Sequence, residues 1–512
     1  MATNNPYEAF IFSEWWDTLS TTFVSFYFIA FVFLLAALYY LMPRKARWCV
    51  LLAGSLAFYS IGGLRPLVTV SLSCMIVYLV GLILEMTDRS KRNWRRLILF
   101  TGVLSLVGML VFTKCYALFE WKFRYIVPLG ISYYTFSAVG YMADVYWGKE
   151  KAEKNVLKLL LYLLFFPKIL QGPITKYRNL APQLVEGHRF SYHNFCFGMQ
   201  LAIWGYFKKI VIADRIAIFT SAVFADEVSF GGAVLLLSVV LSAVQIYCDF
   251  SACMDIAGGV SQMFGITLEK NFDHPFFAKS AAEFWRRWHI TLGVWFKDYI
   301  YMPIVISPRL IKFSGKAGKK FGRRVGKGIM TVVPLAVVWT LTGLWHGTGM
   351  PYLAWGIYWG LLIILSTIFE PEIKKLGKAL HINTDRQGWK NFQMIRTFLL
   401  FCIGRIFTIP GDLKVSANIL RKICTDPKLW QLVDNTLYAQ GLDWKEFVLM
   451  LLMIAVLWFV GLQQRNGSVR EKIANWNMAA RCTFYACSVI FVLLFGIYGP
   501  GIEAGNFAYM QY

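Results

Sequence analysis

The chain has 512 residues, of which 57% are hydrophobic, 17% aromatic and only 16% charged. Apolar runs recur from about residue 22 to residue 498 with no long polar interval, so 1–512 reads as a single all-α membrane domain with loops, and a string of soluble domains is excluded. The formal charge of +23 would raise the question of nucleic acid in a soluble protein, but here the basic residues sit in short segments between apolar runs, and no nucleic-acid partner is expected.

A hydrocarbon core of about 30 Å takes about 20 helical residues. Segments 22–42, Pro66–Met86, 97–113, 447–462 and 482–498 approach or meet that length, and 48–61 is a weaker span. The first twenty residues hold no Lys or Arg, whereas Arg44, Lys45 and Arg47 follow the first span and Arg89, Lys91, Arg92, Arg95 and Arg96 follow Pro66–Met86. The tail from 500 to 512 also lacks Lys and Arg, while Arg465, Arg470 and Lys472 precede the last span. The positive-inside rule then places both termini outside the cytoplasm and implies an even number of crossings of a plasma membrane. A basic start and a small-residue cleavage site are missing, so the first span is expected to be retained as an anchor. The ten cysteines lack zinc or redox spacing and read as buried apolar packers, and no metal site is expected.

Residues 125–365 differ from the flanking spans. Their apolar runs are broken by Gly, Pro and ionisable residues at Pro128-Leu129-Gly130, Phe166-Pro167-Lys168, Gln171-Gly172-Pro173, Tyr247-Cys248-Asp249, Asn271-Phe-Asp-His-Pro275 and Gly343-Leu-Trp-His-Gly347. Broken backbone at membrane depth persists only where protein or a water-filled cavity satisfies it, so this middle region is expected to hold the site, with broken and re-entrant helices.

The segment 309–327 carries Arg309, Lys312, Lys316, Lys319, Lys320, Arg323, Arg324 and Lys327 with no acid and four glycines, and reads as a mobile cytoplasmic loop. Lys319, Lys320, Arg323 and Arg324 suit attraction of an anionic donor such as coenzyme A, or of anionic lipid; an orientation signal alone is the other reading. Segment 411–445 shows an interrupted amphipathic pattern and is expected to form short helices near the outer interface. Neither a phosphate-loop pattern nor a dinucleotide fingerprint is present, and no internal repeat supports an inverted-repeat transporter.

Of six histidines, two stand apart. His346 ends an apolar run and is followed by Gly347, Gly349 and Pro351, which place an imidazole at a helix end beside irregular backbone. Ionisable groups at such depth mark a pathway or a reaction site, and a general base is the natural use of an imidazole there. His289 lies in Glu283-Phe-Trp-Arg-Arg-Trp-His289; a helix continuing to Tyr301 would put it on one face with Trp285, Leu292, Phe296 and Tyr299, as a core residue or a second functional group. Asp249 shares a helical face with Gln245 and needs a partner, either an imidazole to orient or Arg286 or Arg287 to hold. A serine elbow, a paired-carboxylate pattern and a zinc helix are all missing, which leaves histidine-centred chemistry or transport.

At these residues the sequence resembles the membrane-bound O-acyltransferase family, especially its bacterial alginate O-acetyltransferase branch. The matching text includes Pro128-Leu-Gly-Ile-Ser-Tyr-Tyr-Thr-Phe136, Gln171-Gly-Pro-Ile174, Phe207-Lys-Lys-Ile-Val-Ile-Ala-Asp214, Gln245-Ile-Tyr-Cys-Asp-Phe-Ser251, Glu283-Phe-Trp-Arg-Arg-Trp-His-Ile290, Gly343-Leu-Trp-His-Gly347 and the ending Asn506-Phe-Ala-Tyr-Met-Gln-Tyr512. Cys248 and Ala252-Cys253 depart from the branch, and Trp295-Phe-Lys-Asp-Tyr299 also resembles relatives that transfer D-alanine to teichoic acid.

The resemblance implies a helical bundle around a central tunnel, with His346 as the family's near-universal histidine and His289 as its second. Asp249, Trp285, Trp288, Trp345, Tyr247 and Asp298 are then supporting or tunnel-lining residues. It further implies an O-acyltransferase of a bacterial inner membrane that uses acetyl-CoA or another acyl thioester as substrate, with no tightly bound cofactor. The acceptor would be an exported polysaccharide, reached through an extracytoplasmic esterase-like acetyltransferase partner. D-alanyl transfer to teichoic acid, polysaccharide export and acylation of a lipid or secreted protein are the rival readings.

Overall fold

The computed structural model describes residues 23–61, 64–115, 130–347, 349–409 and 411–498. The expectations placed on residues 1–20, on Pro128-Leu129 and on the ending 506–512 lie outside them. The described residues are helical, and their one β feature is an isolated antiparallel bridge between Phe272 and Trp288. Seven helices among them are long and apolar enough to cross a membrane: Pro66–Met86, Arg92–Thr113, Gly232–Met263, Arg323–His346, Met350–Ile368, Trp444–Gln464 and Met478–Phe495. The apolar helix Phe26–Leu41 is shorter. The chain is therefore an all-α, multi-pass membrane protein.

It divides into two compact units. The first takes in 1–211, 249–269 and 466–511. At its centre Ile131–Trp147 is buried along almost its whole length and packs against the helices ending at Met86 and Cys115. Apart from Asp144, which pairs with Lys149, its residues are apolar, aromatic or small on every side, as a helix surrounded by protein requires. Arg47–Ser60, the weaker span of the sequence, is also packed in this unit, with Leu51, Leu52, Phe58 and Tyr59 buried. Here Phe207–Ala213 begins as a π-helix that carries two adjacent buried lysines. Lys209 Nζ lies 2.8 Å from Asp249 Oδ1, and Lys208 Nζ lies 2.8 Å from Asp255 Oδ2 and donates to Ser251 Oγ at 2.7 Å. Two charges removed from water are tolerated when each finds an opposite charge.

The second unit is 212–248 with 270–465. The spanning helices Arg323–His346 and Met350–Ile368 are its most closely packed pair, and Gln387–Thr408 packs against the latter. Glycines set the closeness of that pair. A Cβ added at Gly343 would stand 2.7 Å from the Tyr352 carbonyl oxygen, and one at Gly356 would stand 2.6 Å from that of Trp339.

Two expectations are corrected in this unit. The segment 309–327 is not a loop: Pro308–Phe321 is a helix, and Arg323 already begins the spanning helix, with Gly322 alone as the turn at φ 94°. Gly326 serves close packing, since it sits against Ser314 and Gly318, and Ser314 Oγ donates to the Gly326 carbonyl at 2.8 Å. The helix foreseen through His289 to Tyr301 is broken into Ala281–Arg287, Ile290–Phe296 and the π-helix Lys297–Tyr301. Segment 411–445 forms short helices as the sequence led one to expect, and Leu413–Thr425 rests on protein through Ser416, Ile419 and Lys422.

Candidate active site

His346 occupies the last position of the Arg323–His346 helix and is 7% exposed. Gly347 is the C-cap, and Pro351 opens the next helix, so the chain reverses directly beyond the imidazole. The close crossing at Gly343 and Gly356 brings Trp355 to His346. Their rings stand 4.7 Å apart, edge to face, and Trp345 lies at the same distance on the preceding residue.

His289 is held from a different direction. It adopts the left-handed conformation, φ 46° and ψ 53°, as the cap of Ile290–Phe296. Such a backbone is costly for a residue with a side chain and persists where its surroundings impose it. Asn271 imposes it here. Its Oδ1 accepts from the Thr291 amide at 3.0 Å, from Thr291 Oγ1 at 2.9 Å and from His289 Nδ1 at 3.2 Å. Its carbonyl accepts from the Ile290 amide at 2.9 Å, and the Phe272–Trp288 bridge continues the pairing. Because Oδ1 also takes a backbone N–H it must be the oxygen, so the His289 proton sits on Nδ1 and the ring lone pair on Nε2. His289 lies outside the spanning helices, and burial pushes its imidazole down to about 3, which keeps it neutral.

The two imidazoles meet at one indole, since the ring of His289 is 6.1 Å from that of Trp345. Trp355 continues the wall to Trp285 at 5.4 Å and Trp339 at 6.2 Å, and Trp285 is 5.1 Å from Trp359. The buried Nε1 atoms of Trp285 and Trp359 have no hydrogen-bond partner among the described residues. Trp288 stacks on Phe284 and lies 6.2 Å from Tyr247. Of the residues singled out in the sequence, His346, His289, Trp345, Trp285, Trp288 and Tyr247 therefore share the aromatic core of one unit. Asp298 is on the π-helix Lys297–Tyr301. Asp249 belongs to the other unit and pairs with Lys209, a partner the sequence did not suggest. Lys319, Lys320, Arg323 and Arg324 are exposed, and Arg324 pairs with Glu372 at 2.6 Å. Asn271 and Trp355 were not singled out as site residues; the break at Asn271-Phe-Asp-His-Pro275 was the available signal for the first, and the second had none. Among the described residues no three His, Cys, Asp or Glu side chains are grouped as metal ligands would be.

Such an arrangement, two buried imidazoles among aromatic rings, can accept a proton from a hydroxyl brought to it. Comparisons with known proteins identify the family. Residues 149–317 match the model of the membrane-bound O-acyltransferase family, a stretch that contains His289 but ends before His346. A teichoic acid D-alanyltransferase from Bacillus subtilis is 30% identical over 284 residues, 54% of this chain and 67% of the relative. The chain belongs to the membrane-bound O-acyltransferase family. A probable alginate O-acetylase from Pseudomonas syringae pv. tomato is 30% identical over 338 residues, 66% of this chain. The match spans 59% of that relative's own length. A peptidoglycan O-acetyltransferase from Helicobacter pylori is 28% identical over 365 residues, 64% of this chain and 65% of the relative.

Proposed function

We propose that this membrane-bound O-acyltransferase family member transfers an acyl group, acetyl from acetyl-CoA, to a hydroxyl of an exported or cell-surface polysaccharide, directly or through an extracytoplasmic acetyltransferase partner. The observation that carries the reading is the pair of buried imidazoles around Trp345, one closing a spanning helix and the other fixed as a neutral tautomer by Asn271. The alginate and peptidoglycan O-acetylating relatives support the acetyl group and the polymer acceptor. The membrane would be a bacterial inner membrane, with both termini outside the cytoplasm.

In this reading His346 removes the proton of the acceptor hydroxyl as its oxygen attacks the thioester carbonyl carbon. The tetrahedral oxyanion collapses, the carbon–sulfur bond breaks, and the imidazolium returns its proton to the departing thiolate. His289, with its lone pair on Nε2, positions the acceptor by taking a hydrogen bond from a second hydroxyl of the sugar, since the one proton of the attacking hydroxyl goes to His346. The tryptophan wall excludes water, which would otherwise hydrolyse the thioester. General-base help is worth about 10²–10⁴ in rate.

Membranes bearing the wild type or His346→Ala, supplied with labelled acetyl-CoA, test the proposal. Label in polysaccharide or partner should fall by about 10²–10⁴ in the variant, and undiminished transfer would reject the role of His346. The Bacillus subtilis relative favours D-alanyl transfer as a second reading. A parallel arm with a labelled D-alanyl thioester decides between them, because label would enter teichoic acid only if that reading holds.

A further inference from the structure

The helix Pro308–Phe321 is sharply two-sided. Wound at about 100° per residue, it sets Leu310, Ile311, Phe313, Ala317 and Phe321 on one side. Arg309, Lys312, Lys316, Lys319 and Lys320 fall on the other, and no acidic residue occurs from 308 to 327. Among the described residues, protein covers the middle of the apolar side, through buried Leu310 and the contacts of Ser314 and Gly318 with Gly326. Its margins are open, with Ile311 52%, Phe313 58% and Phe321 63% exposed.

The neighbouring helix Glu370–Ala379, tied on by the Arg324–Glu372 pair, has the same habit. Ile373 and Leu376 are exposed on it, as is Leu380 just beyond, beside Lys374, Lys375 and Lys378. Five basic residues in fourteen exclude Pro308–Phe321 as a spanning helix. Attraction of a soluble anion would account for the lysines but not for two uncovered phenylalanines beside them. A headgroup layer accounts for both, because apolar side chains enter the acyl boundary while lysines lie level with phosphate.

We propose that the hairpin of Pro308–Phe321 with the first turn of Arg323–His346 is seated in the membrane interface and binds anionic phospholipid. Ile311, Phe313 and Phe321 insert, and Lys312, Lys316 and Lys319 take the phosphates. The partner is the lipid surface, so the assignment goes beyond the acyl-transfer reading and does not depend on it. The helix that follows Gly322 ends at His346, so lipid contact and the candidate base occupy opposite ends of one spanning helix.

Hydrogen–deuterium exchange on the full chain tests the proposal, in nanodiscs of phosphatidylcholine alone and of phosphatidylcholine with phosphatidylglycerol. Amides of 310–325 should exchange about ten-fold more slowly with phosphatidylglycerol present, as the attraction of several basic residues to an anionic leaflet requires. Amides of Met350–Ile368 should not change and serve as the control for folding. Lys312→Glu/Lys316→Glu/Lys319→Glu should abolish the difference between the two discs, and Phe313→Ser should speed exchange in both. Equal exchange of the wild type in both discs overturns the proposal, whatever the variants do. So does equal protection in detergent by inorganic phosphate or by polyglutamate, which would assign the face to a soluble anion or to an acidic protein. Neither readout involves acyl transfer, so failure here leaves the proposed activity standing, and failure of that activity leaves this.

Discussion

One residue decides how His289 is presented. Asn271 lies eighteen positions earlier in the chain, and its side chain and carbonyl together bond to His289, Ile290 and Thr291. Periodicity around His289 argues for a continuous helix, and nothing local opposes it. The break comes from a distant amide that supplies the new helix with its first hydrogen-bond acceptor, and such tertiary partners are invisible to a local pattern. His346 was legible because its helix end is written next to it, in Gly347, Gly349 and Pro351. Asn271→Ala should remove three hydrogen bonds from buried groups, lower stability by about 1–3 kcal/mol, and reduce transfer at least ten-fold by freeing the imidazole. Melting temperature and initial rates on the same preparation check both, and a variant with full transfer would show that the His289 tautomer is immaterial. Acidification gives a second handle. Between pH about 3 and about 6.5 the unfolded chain protonates His289 while the folded chain does not, so this group's contribution to stability is complete above about 6.5 and is lost as pH falls through that window. His289→Asn, which tolerates the left-handed backbone, should flatten the fall of melting temperature with pH over that interval; an unchanged slope would place the titration elsewhere.

At the scale of elements, glycine spacing carries the site. In the sequence Gly343 and Gly356 belong to two apolar runs, and Gly315, Gly318, Gly322 and Gly326 look like a flexible loop. Folded, Gly343, Gly356 and Gly326 mark places where one helix lies on another with no room for a methyl group. Composition alone does not separate a glycine that loosens a loop from one that admits a neighbouring backbone. Gly343→Ala should force the Arg323–His346 and Met350–Ile368 helices apart against the Tyr352 carbonyl and withdraw Trp355 from His346. Overpacking of this kind costs about 1–3 kcal/mol, and the rate should fall more than the melting temperature suggests, because the displaced ring borders the candidate base. The buried ion pairs behave differently. Lys209→Met leaves the Asp249 carboxylate buried without its cation and should destabilise by about 3–5 kcal/mol, whereas Lys209→Met/Asp249→Asn should recover most of the loss. Thermal unfolding of both variants in one detergent measures the difference, and equal stability of the two would mean that the pair is not coupled.

Over the whole molecule, the sequence identifies a span most clearly where the surroundings are uniform. Pro66–Met86 was read with its final boundaries, since lipid-facing helices are apolar over their full length. Gly232–Met263, Arg323–His346 and Met350–Ile368 were not read as spans because polar, Gly and Pro residues interrupt them, and the interruptions are where the protein packs or reacts. Sidedness rests on the distribution of basic residues. Cys49 follows Arg44, Lys45 and Arg47, and Cys424 precedes the Trp444–Gln464 helix that leads to Arg465, Arg470 and Lys472; both cysteines are exposed. With the basic segments held inside, an impermeant maleimide applied to intact cells should modify Cys424 and spare Cys49, and permeabilising the membrane should make Cys49 reactive. The fully buried thiols Cys248 and Cys253 should resist under both conditions and report that the fold is intact. Labelling of Cys49 in intact cells would invert the proposed orientation, and with it the side from which a cytoplasmic acyl thioester could approach.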